Sequence, residues 1–286
     1  MRPDRRALML GAAAALAAPP ALASALAAPL PLALNGVWRQ GGFAFGRTAP
    51  RALVLVDGEP LTAASAQGLF VVGFDRDAPA SAEIAVRDGG REARRVLDIA
   101  LHAFPSTRID GLPPATVEPG DPALLERIRR EAALKTEGFA SCADDDSFAE
   151  GFAWPLDAYR ITSAWGAQRV LNGTPARPHY GLDMAAPAGT VIRAPAGGRV
   201  CMARAGLHFE GGLTLIDHGQ GLISGYLHQS RLDVAEGQRV RRGDAIGRIG
   251  ATGRATGPHL CWRMKWRDRN LDPSLMIGLR APENSA

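Results

Sequence analysis

The chain has 286 residues, which is enough for one large domain or two modest ones. Hydrophobic residues make up 46% and charged residues 22%, and this composition excludes disorder, collagen or a coiled coil as a description of the whole chain. The formal net charge is only +4, whereas nucleic-acid binding needs a clustered basic face, so we expect no nucleic-acid partner. The 33 glycines and 21 prolines favour many short strands over a helical bundle.

Three cysteines are present, namely Cys142, Cys201 and Cys261. They are too few for a disulfide scaffold. Because their number is odd, at least one thiol must stay unpaired or serve another purpose.

The N-terminus predicts a secretory signal peptide over residues 1–25. Three arginines among the first six residues precede an apolar run over 7–18, and the small residues 23–25 complete the pattern. The apolar run is shorter than the roughly 20 residues that a membrane-spanning helix needs. We therefore expect an exported, periplasmic protein that does not span the membrane. The Sec and twin-arginine routes both stay open, because Arg5-Arg6 matches the twin-arginine pattern incompletely.

Residues 30–112 predict a small β-sandwich-like domain. Short apolar or alternating segments at 53–56, 69–72 and 82–86 are separated by glycine and aspartate turns. This region contains no recognisable catalytic group of residues.

Residues 113–150 predict a linker that contains one helix. Asp121 is the expected N-cap, Pro122 the first helical residue and Gly138 the C-terminal end. Apolar residues repeat at helical spacing on one face, and we expect Glu131 on the solvated face. From there the chain is predicted to be rich in β-strands over 151–275, with a short C-terminal tail over 276–286.

Five of the six histidines lie between residues 179 and 259. His179 and Asp183 are four residues apart, on a segment whose proline and glycine predict a loop that enters a strand. Further along, Tyr226 and His228 close an alternating segment, which predicts that both side chains share one face. His218 lies in a glycine-rich turn, where a structural role is favoured, and His208 has no supporting context.

The segment 259–266 alternates strictly and predicts a strand with one apolar face. His259 and Cys261 fall on the other face, together with Arg263 and Lys265. An imidazole and a thiol side by side on one strand face suit a metal site. A half-buried strand with a small cysteine and a surface histidine is the alternative.

Together these segments resemble the lysostaphin-type (LytM-like) zinc metallopeptidases, which cut the peptide cross-links of bacterial peptidoglycan. The resemblance covers about residues 150–275. Its motifs in chain order are Arg160-Ile161-Thr162-Ser163-x-Trp165-Gly166, His179-x-Gly181-x-Asp183, Tyr226-x-His228, Val234-x-x-Gly237-Gln238-x-Val240-x-x-Gly243-x-x-Ile246-Gly247 and Thr252-Gly253-x-x-Thr256-Gly257-Pro258-His259-x-Cys261. The resemblance implies a mainly β fold built on the duplicated hybrid motif.

Residue by residue, the resemblance implies that His179 and Asp183 bind one Zn²⁺ and that His259 and His228 are the catalytic histidines. The third ligand position falls on Cys261, where the family has histidine. A thiolate is a good zinc ligand, at about 2.3 Å against about 2.0–2.1 Å for imidazole. Because a thiolate donates more charge, we expect zinc binding to survive and the activity to be weakened.

The resulting interpretation is an exported zinc endopeptidase that acts on peptidoglycan stem peptides. The alternative is a peptidase-like, non-catalytic module that binds peptidoglycan or activates a separate cell-wall hydrolase. A third possibility is that Cys261 is oxidised with Cys142 or Cys201, since a periplasmic location permits disulfides.

Overall fold

The computed structural model describes residues 29–111, 117 and 119–283. The predicted signal peptide over 1–25 lies outside the described residues. The strands are β1 (Ala33–Val37), β2 (Phe43–Arg47), β3 (Leu53–Val56), β4 (Glu59–Ala63), β5 (Leu69–Gly73), β6 (Ser81–Asp88), β7 (Arg91–Asp98), β8 (Ser106–Ile109), β9 (Arg160–Ser163), β10 (Gln168–Leu171), β11 (Thr174–Pro175), β12 (Leu182–Ala185), β13 (Val191–Arg193), β14 (Gly198–Leu207), β15 (Gly211–Asp217), β16 (Leu222–Leu232), β17 (Arg239–Val240), β18 (Ala245–Ile249), β19 (His259–Trp266) and β20 (Arg269–Leu271). Helix α1 spans Pro122–Phe139, and short 3-10 helices lie at Ser147–Glu150 and Pro273–Met276.

The N-terminal strands form two antiparallel sheets. One has the order β1-β2-β5 and the other β4-β3-β6-β7. In β6, the alternating residues Ala82, Ile84 and Val86 are buried, as a strand with one face on the core requires. The predicted β-strands of this region are confirmed, and the buried residues of both sheets belong to one hydrophobic cluster that also includes core residues of the C-terminal part.

The C-terminal part is a larger antiparallel sheet with the order β17-β14-β15-β16-β19-β12-β9. Strands β13, β18 and β20 pair at its side, and β19 lies between β16 and β12. The predicted alternation of β19 is confirmed, because Leu260, Trp262, Met264 and Trp266 are all buried in the main core. The mainly β fold is therefore confirmed as well.

The opposite face of this sheet carries a second, smaller hydrophobic cluster. Leu213, Leu227 and Cys261 belong to it, and Phe139 at the end of α1 packs against it. Helix α1 therefore covers part of the sheet face that bears Cys261.

Helix α1 begins as predicted and ends later than predicted. The Asp121 carboxylate accepts a hydrogen bond from the Ala123 backbone N–H at 3.1 Å, and Pro122 is the first helical residue. Gly138 lies inside the helix, where a Cβ would be only 2.9 Å from Leu215 Cδ1. Gly138 thus allows the helix to pack closely on the sheet, and the helix continues past this residue.

Glu131 is buried, contrary to its predicted place on the solvated face. Its carboxylate accepts a hydrogen bond from Arg127 Nε at 2.7 Å and from the His208 backbone N–H at 2.7 Å. Burial of a carboxylate is tolerated here because both oxygens are satisfied. Glu131 therefore joins the helix to the sheet.

The end of the predicted N-terminal domain contributes a strand that pairs outside the two N-terminal sheets. β8 pairs in parallel with β10, which forms a hairpin with β11 just before His179. The last strand of the predicted N-terminal domain therefore belongs to a three-stranded sheet with two strands of the C-terminal part. No helix in the described part of the chain combines the length and the apolar composition needed to cross a bilayer.

Candidate metal centre and active site

Two of the predicted ligands are cross-strand neighbours. Asp183 on β12 is directly opposite Cys261 on β19, so both side chains project from the same face. His179 lies in the loop before β12, and its Nε2 atom is 3.1 Å from Asp183 Oδ1 and 3.4 Å from Cys261 Sγ. All three side chains are buried, and their ligand atoms lie within 4.8 Å of one another.

Gly181 leaves the space into which these groups converge. A Cβ at this position would collide with Cys261 Sγ and would lie 3.1 Å from His179 Nε2. The backbone φ of Gly181 lies outside the left-handed region, so glycine is not required here for its conformation. It is required because any side chain would occupy the space between His179 and Cys261.

Neighbouring polar groups orient two of the three side chains. The Ser163 hydroxyl lies 3.1 Å from His179 Nδ1, on the side of the ring that faces away from Cys261. Arg169 Nη2 donates to Asp183 Oδ2 at 3.4 Å and leaves Oδ1 directed at the histidine. Such partners fix the ring tautomer and the carboxylate orientation.

Burial and charge set the protonation of this pair. Burial lowers the pKa of His179 below its ordinary value, which favours the neutral imidazole that metal binding requires. Burial raises the pKa of Asp183, but the adjacent His179 and the guanidinium of Arg169 outweigh it and hold that pKa below its usual range. The aspartate is therefore an anion beside a neutral histidine.

None of the three cysteines forms a disulfide. Cys261 is buried, Cys201 is partly buried and Cys142 is exposed. Burial raises the pKa of Cys261 to about 12, partly opposed by the neighbouring Arg263. In the absence of a cation the group is a thiol, and a metal would have to displace its proton.

The residues present fit a tetrahedral metal ion. Ligands at about 2.0–2.3 Å from zinc are separated from one another by about 3.3–3.7 Å, close to the observed spacings. Asp183 Oδ1 is buried and accepts no hydrogen bond, although it lies at the point where the three groups meet. One nitrogen, one oxygen and one sulfur donor leave a fourth position for a water molecule or a substrate.

Two further histidines lie beside this cluster. His259 Nε2 is 3.8 Å from Asp183 Oδ1, and the rings of His259 and His228 have centroids 4.6 Å apart. His259 Nδ1 donates to the Gly257 carbonyl at 2.9 Å, and His228 Nδ1 donates to the Thr252 carbonyl at 2.9 Å. Because each Nδ1 carries the proton, each neutral ring presents Nε2 as a proton acceptor.

A bulge in β16 brings His228 to the site. Between the pairs Thr214–Tyr226 and Gly212–Gln229, β16 has one residue more than β15. His228 lies in this bulge with φ at 66°, a left-handed conformation uncommon for a non-glycine residue.

The prediction that Tyr226 and His228 share a face is wrong for this reason. Tyr226 is buried in the main core, where its hydroxyl lies 2.7 Å from Ser224 Oγ. The bulge turns His228 to the face that carries Cys261. Burial then lowers the pKa of His228 to about 4, so that its ring is neutral near pH 7.

His218, by contrast, has the structural role that its position predicted. It is fully buried, donates from Nδ1 to the Gly197 carbonyl and lies 2.7 Å from Ser224 Oγ through Nε2. Burial lowers its pKa to about 4.

Sequence reasoning missed the roles of three residues at the site. Arg169 and Ser163 orient the ligands, and their position could not be derived because it depends on strand pairing. Arg263 was placed on the correct strand face, but its interaction with the Cys261 thiol was not predicted.

Comparisons with known proteins point to one family. The family model described as Peptidase family M23 matches residues 177–273, a span that contains all five predicted site residues. A solved structure described as a peptidase M23 from Pseudomonas aeruginosa is 30% identical, with a TM-score of 0.65. That match covers 84% of this chain and 95% of the other. The chain belongs to peptidase family M23.

Curated relatives of this M23 protein match less than half of its length. The peptidoglycan DD-endopeptidase ShyA of Vibrio cholerae is 37% identical over 141 residues, which are 48% of this chain and 33% of that protein. The DD-carboxypeptidase/endopeptidase Mpg of Neisseria meningitidis is 38% identical over 130 residues, 45% of this chain and 29% of that protein. The matches thus span a third or less of the relatives' length, and they confirm the resemblance to LytM-like peptidases.

Proposed function

We propose that this M23 protein is an exported, zinc-dependent endopeptidase that hydrolyses peptide cross-links of bacterial peptidoglycan. The observation that carries the proposal is the convergence of His179, Asp183 and Cys261 beside His228 and His259, each of which donates from Nδ1 to a backbone carbonyl. The names of the relatives, a DD-endopeptidase and a DD-carboxypeptidase/endopeptidase of the cell wall, support the choice of substrate.

His179, Asp183 and Cys261 would hold the zinc ion. When bound, zinc supplies Lewis acidity and makes a coordinated water acidic near neutral pH. Asp183 stays anionic and His179 neutral for the reasons given above, so both are in the protonation state of a ligand.

His259 acts as the general base in this proposal. Its Nδ1 proton is held by the Gly257 carbonyl, which orients Nε2 towards the ligand cluster and keeps its lone pair available. The protein thereby positions an acceptor for the proton of the attacking water.

His228 serves the other end of the reaction. Its ring lies against that of His259, and the Thr252 carbonyl fixes its orientation. After accepting a proton at Nε2, it can stabilise the developing oxyanion or deliver the proton to the leaving amine.

Export rests on the sequence of residues 1–25, and a periplasmic location would bring the enzyme to its substrate. Stem peptides of peptidoglycan are the proposed binding partners. A partner cell-wall hydrolase belongs to the alternative in which the domain is a non-catalytic activator.

Digestion of purified, cross-linked muropeptides tests the proposal, with products identified by mass spectrometry. We expect new peptide ends with the wild-type protein and none with His259→Ala. The circular dichroism spectrum of the variant should match that of the wild type. Zinc-loaded, folded protein that leaves the cross-links intact would contradict the endopeptidase and favour the activator.

A further inference from the structure

The face of β19 that carries Cys261 continues into a cavity of about 530 Å³ beneath α1. Apolar residues such as Phe139, Leu213 and Leu227 form part of its wall. The charged residues of the lining are Lys135, Glu210, Arg263, Lys265, Arg267 and Asp268.

The cations of this lining exceed its anions. Lys135 Nζ lies 2.6 Å from Glu210 Oε1, so these two charges compensate each other. Asp268 is exposed at the rim. Arg263, Lys265 and Arg267 remain, and none of the three has a carboxylate at ion-pair distance among the residues that the structure describes.

The contacts of these three cations are with neutral or aromatic groups. The Lys265 ammonium lies 5.4 Å from the centre of the Phe139 ring. Arg267 Nη2 donates to Thr62 Oγ1 at 3.1 Å and lies 3.6 Å from Cys142 Sγ. The Nε atoms of Arg263 and Arg267 are buried without any hydrogen-bond acceptor. Buried cationic donors without acceptors are costly, and an anion in the cavity would remove that cost.

The chemistry of the lining favours a carboxylate. A guanidinium presents planar, paired donors that match the two oxygens of a carboxylate, and an ammonium adds a point charge. The apolar wall accommodates the methylene or methyl groups that carry such a carboxylate in a peptide.

The position of the cavity relates it to the metal centre. Alternate residues of a strand are about 7 Å apart, so Arg263 lies about 7 Å and Lys265 about 13 Å along β19 from Cys261. An extended peptide has the same repeat, and these distances correspond to two to four of its residues.

We propose that this cavity is a substrate subsite, which binds a free carboxylate of the peptide two to four residues from the cleaved bond. The inference rests on the proposed function. It narrows the substrate to peptides that have a carboxylate two to four residues from the cleaved bond. Arg263, Lys265 and Arg267 bind the carboxylate, and the Glu210–Lys135 pair closes the helix side of the cavity.

The test compares a cross-linked peptide that has free carboxylates with peptides in which each carboxylate is converted in turn to a carboxamide. We expect one such conversion to lower kcat/KM about tenfold, chiefly through KM, since one charge-assisted contact is lost. In Lys265→Gln the ratio of kcat/KM for the acid and amide peptides falls towards one. Arg130→Gln, which removes an exposed cation of α1 on the solvent side, keeps the wild-type ratio.

Binding separates this proposal from the proposed function. The Kd of the acid and amide peptides is measured by calorimetry with His259→Ala, and again with Lys265→Gln added. Tighter binding of the acid peptide, lost with Lys265→Gln, supports the subsite even if no peptide is cleaved. Equal Kd and equal kcat/KM for the acid and amide peptides overturn the subsite and leave an observed cleavage intact.

Discussion

At the scale of single residues, the centre depends on a cross-strand pair and on the absence of one side chain. Asp183 and Cys261 face each other across β12 and β19, and Gly181 leaves room for His179 to reach both. The resemblance to the lysostaphin-type family predicted this trio, whereas the spacing of His179 and Asp183 alone is a weak signal. The orientation of His228 could not be predicted, since it depends on one residue with a positive φ in a bulge.

Cys261 is the residue at which a change of ligand is most informative. Cys261→Ala removes a donor atom, and we expect zinc affinity to fall by more than the roughly 10–100-fold that loss of a ligand's hydrogen-bond partner costs. Cys261→His keeps a donor and supplies less charge to the metal, so kcat should rise severalfold. Metal titration and muropeptide kinetics measure the two effects. A Cys261→Ala protein that binds zinc as tightly as wild type would refute ligation by the thiol.

Gly181→Ala tests the space at the centre without removing any ligand. The added methyl collides with Cys261 Sγ, so we expect zinc binding to be lost while the circular dichroism spectrum is retained. Gly120→Ala, where nothing lies within 4 Å of the added Cβ, is the matched control. Unchanged zinc affinity in Gly181→Ala would show that the three ligand atoms do not converge beside this glycine.

At the scale of elements, local sequence patterns predicted β19 and the start of α1 correctly. They failed for residues of α1 whose environment depends on the sheet packed against the helix. The alternation over 259–266 indicates a strand with one apolar face, and the Asp121-Pro122 pair indicates the start of a helix. Gly138 and Glu131 were misplaced because their positions depend on the sheet packed against α1. A glycine required for close packing and a glycine that ends a helix look the same in the sequence.

The buried His218 at the end of β15 gives a pH dependence of stability. Burial lowers its pKa from about 6.5 to about 4, although Asp217 and Asp145 act in the opposite direction. Above pH 6.5 neither the folded nor the unfolded state is protonated there, so its contribution is constant. Between 6.5 and 4 the unfolded state binds the proton first, and stability falls as the pH falls, by an amount of the order of 3 kcal/mol.

Thermal unfolding from pH 7.5 to pH 4.5 measures this effect in the wild type and in His218→Gln. Because glutamine does not titrate, the variant should lose less of its Tm across this interval, whatever its Tm at pH 7.5. Identical pH profiles of the two proteins would exclude His218 as the source.

At the scale of the whole molecule, the N-terminal sheets and the M23 domain share a core. Gly73 at the end of β5 lies against Leu271 and Trp266, and the Asp272 N–H donates to the Gly41 carbonyl at 2.7 Å. Each β-rich part was predictable from its own strands and turns. The packing of the two parts against each other was not predictable, because no local sequence pattern indicates which residues of one part contact the other.

Gly73→Ala tests this shared core. The added Cβ would lie 2.7 Å from Leu271 Cδ2 and 3.3 Å from Trp266 Cβ, and overpacking of this kind costs about 1–3 kcal/mol. We expect the Tm to fall by several degrees in a single cooperative transition. Gly90→Ala, at an open turn, should leave the Tm nearly unchanged. A Gly73→Ala protein as stable as the control would contradict close packing between the two parts.

The central claim is that His179, Asp183 and Cys261 together hold one zinc ion, and zinc K-edge X-ray absorption on the purified protein tests it most directly. The account predicts one equivalent of zinc with a single sulfur neighbour at about 2.3 Å and nitrogen or oxygen neighbours at about 2.0–2.1 Å. Protein that binds no zinc, or zinc without a sulfur neighbour, would contradict it.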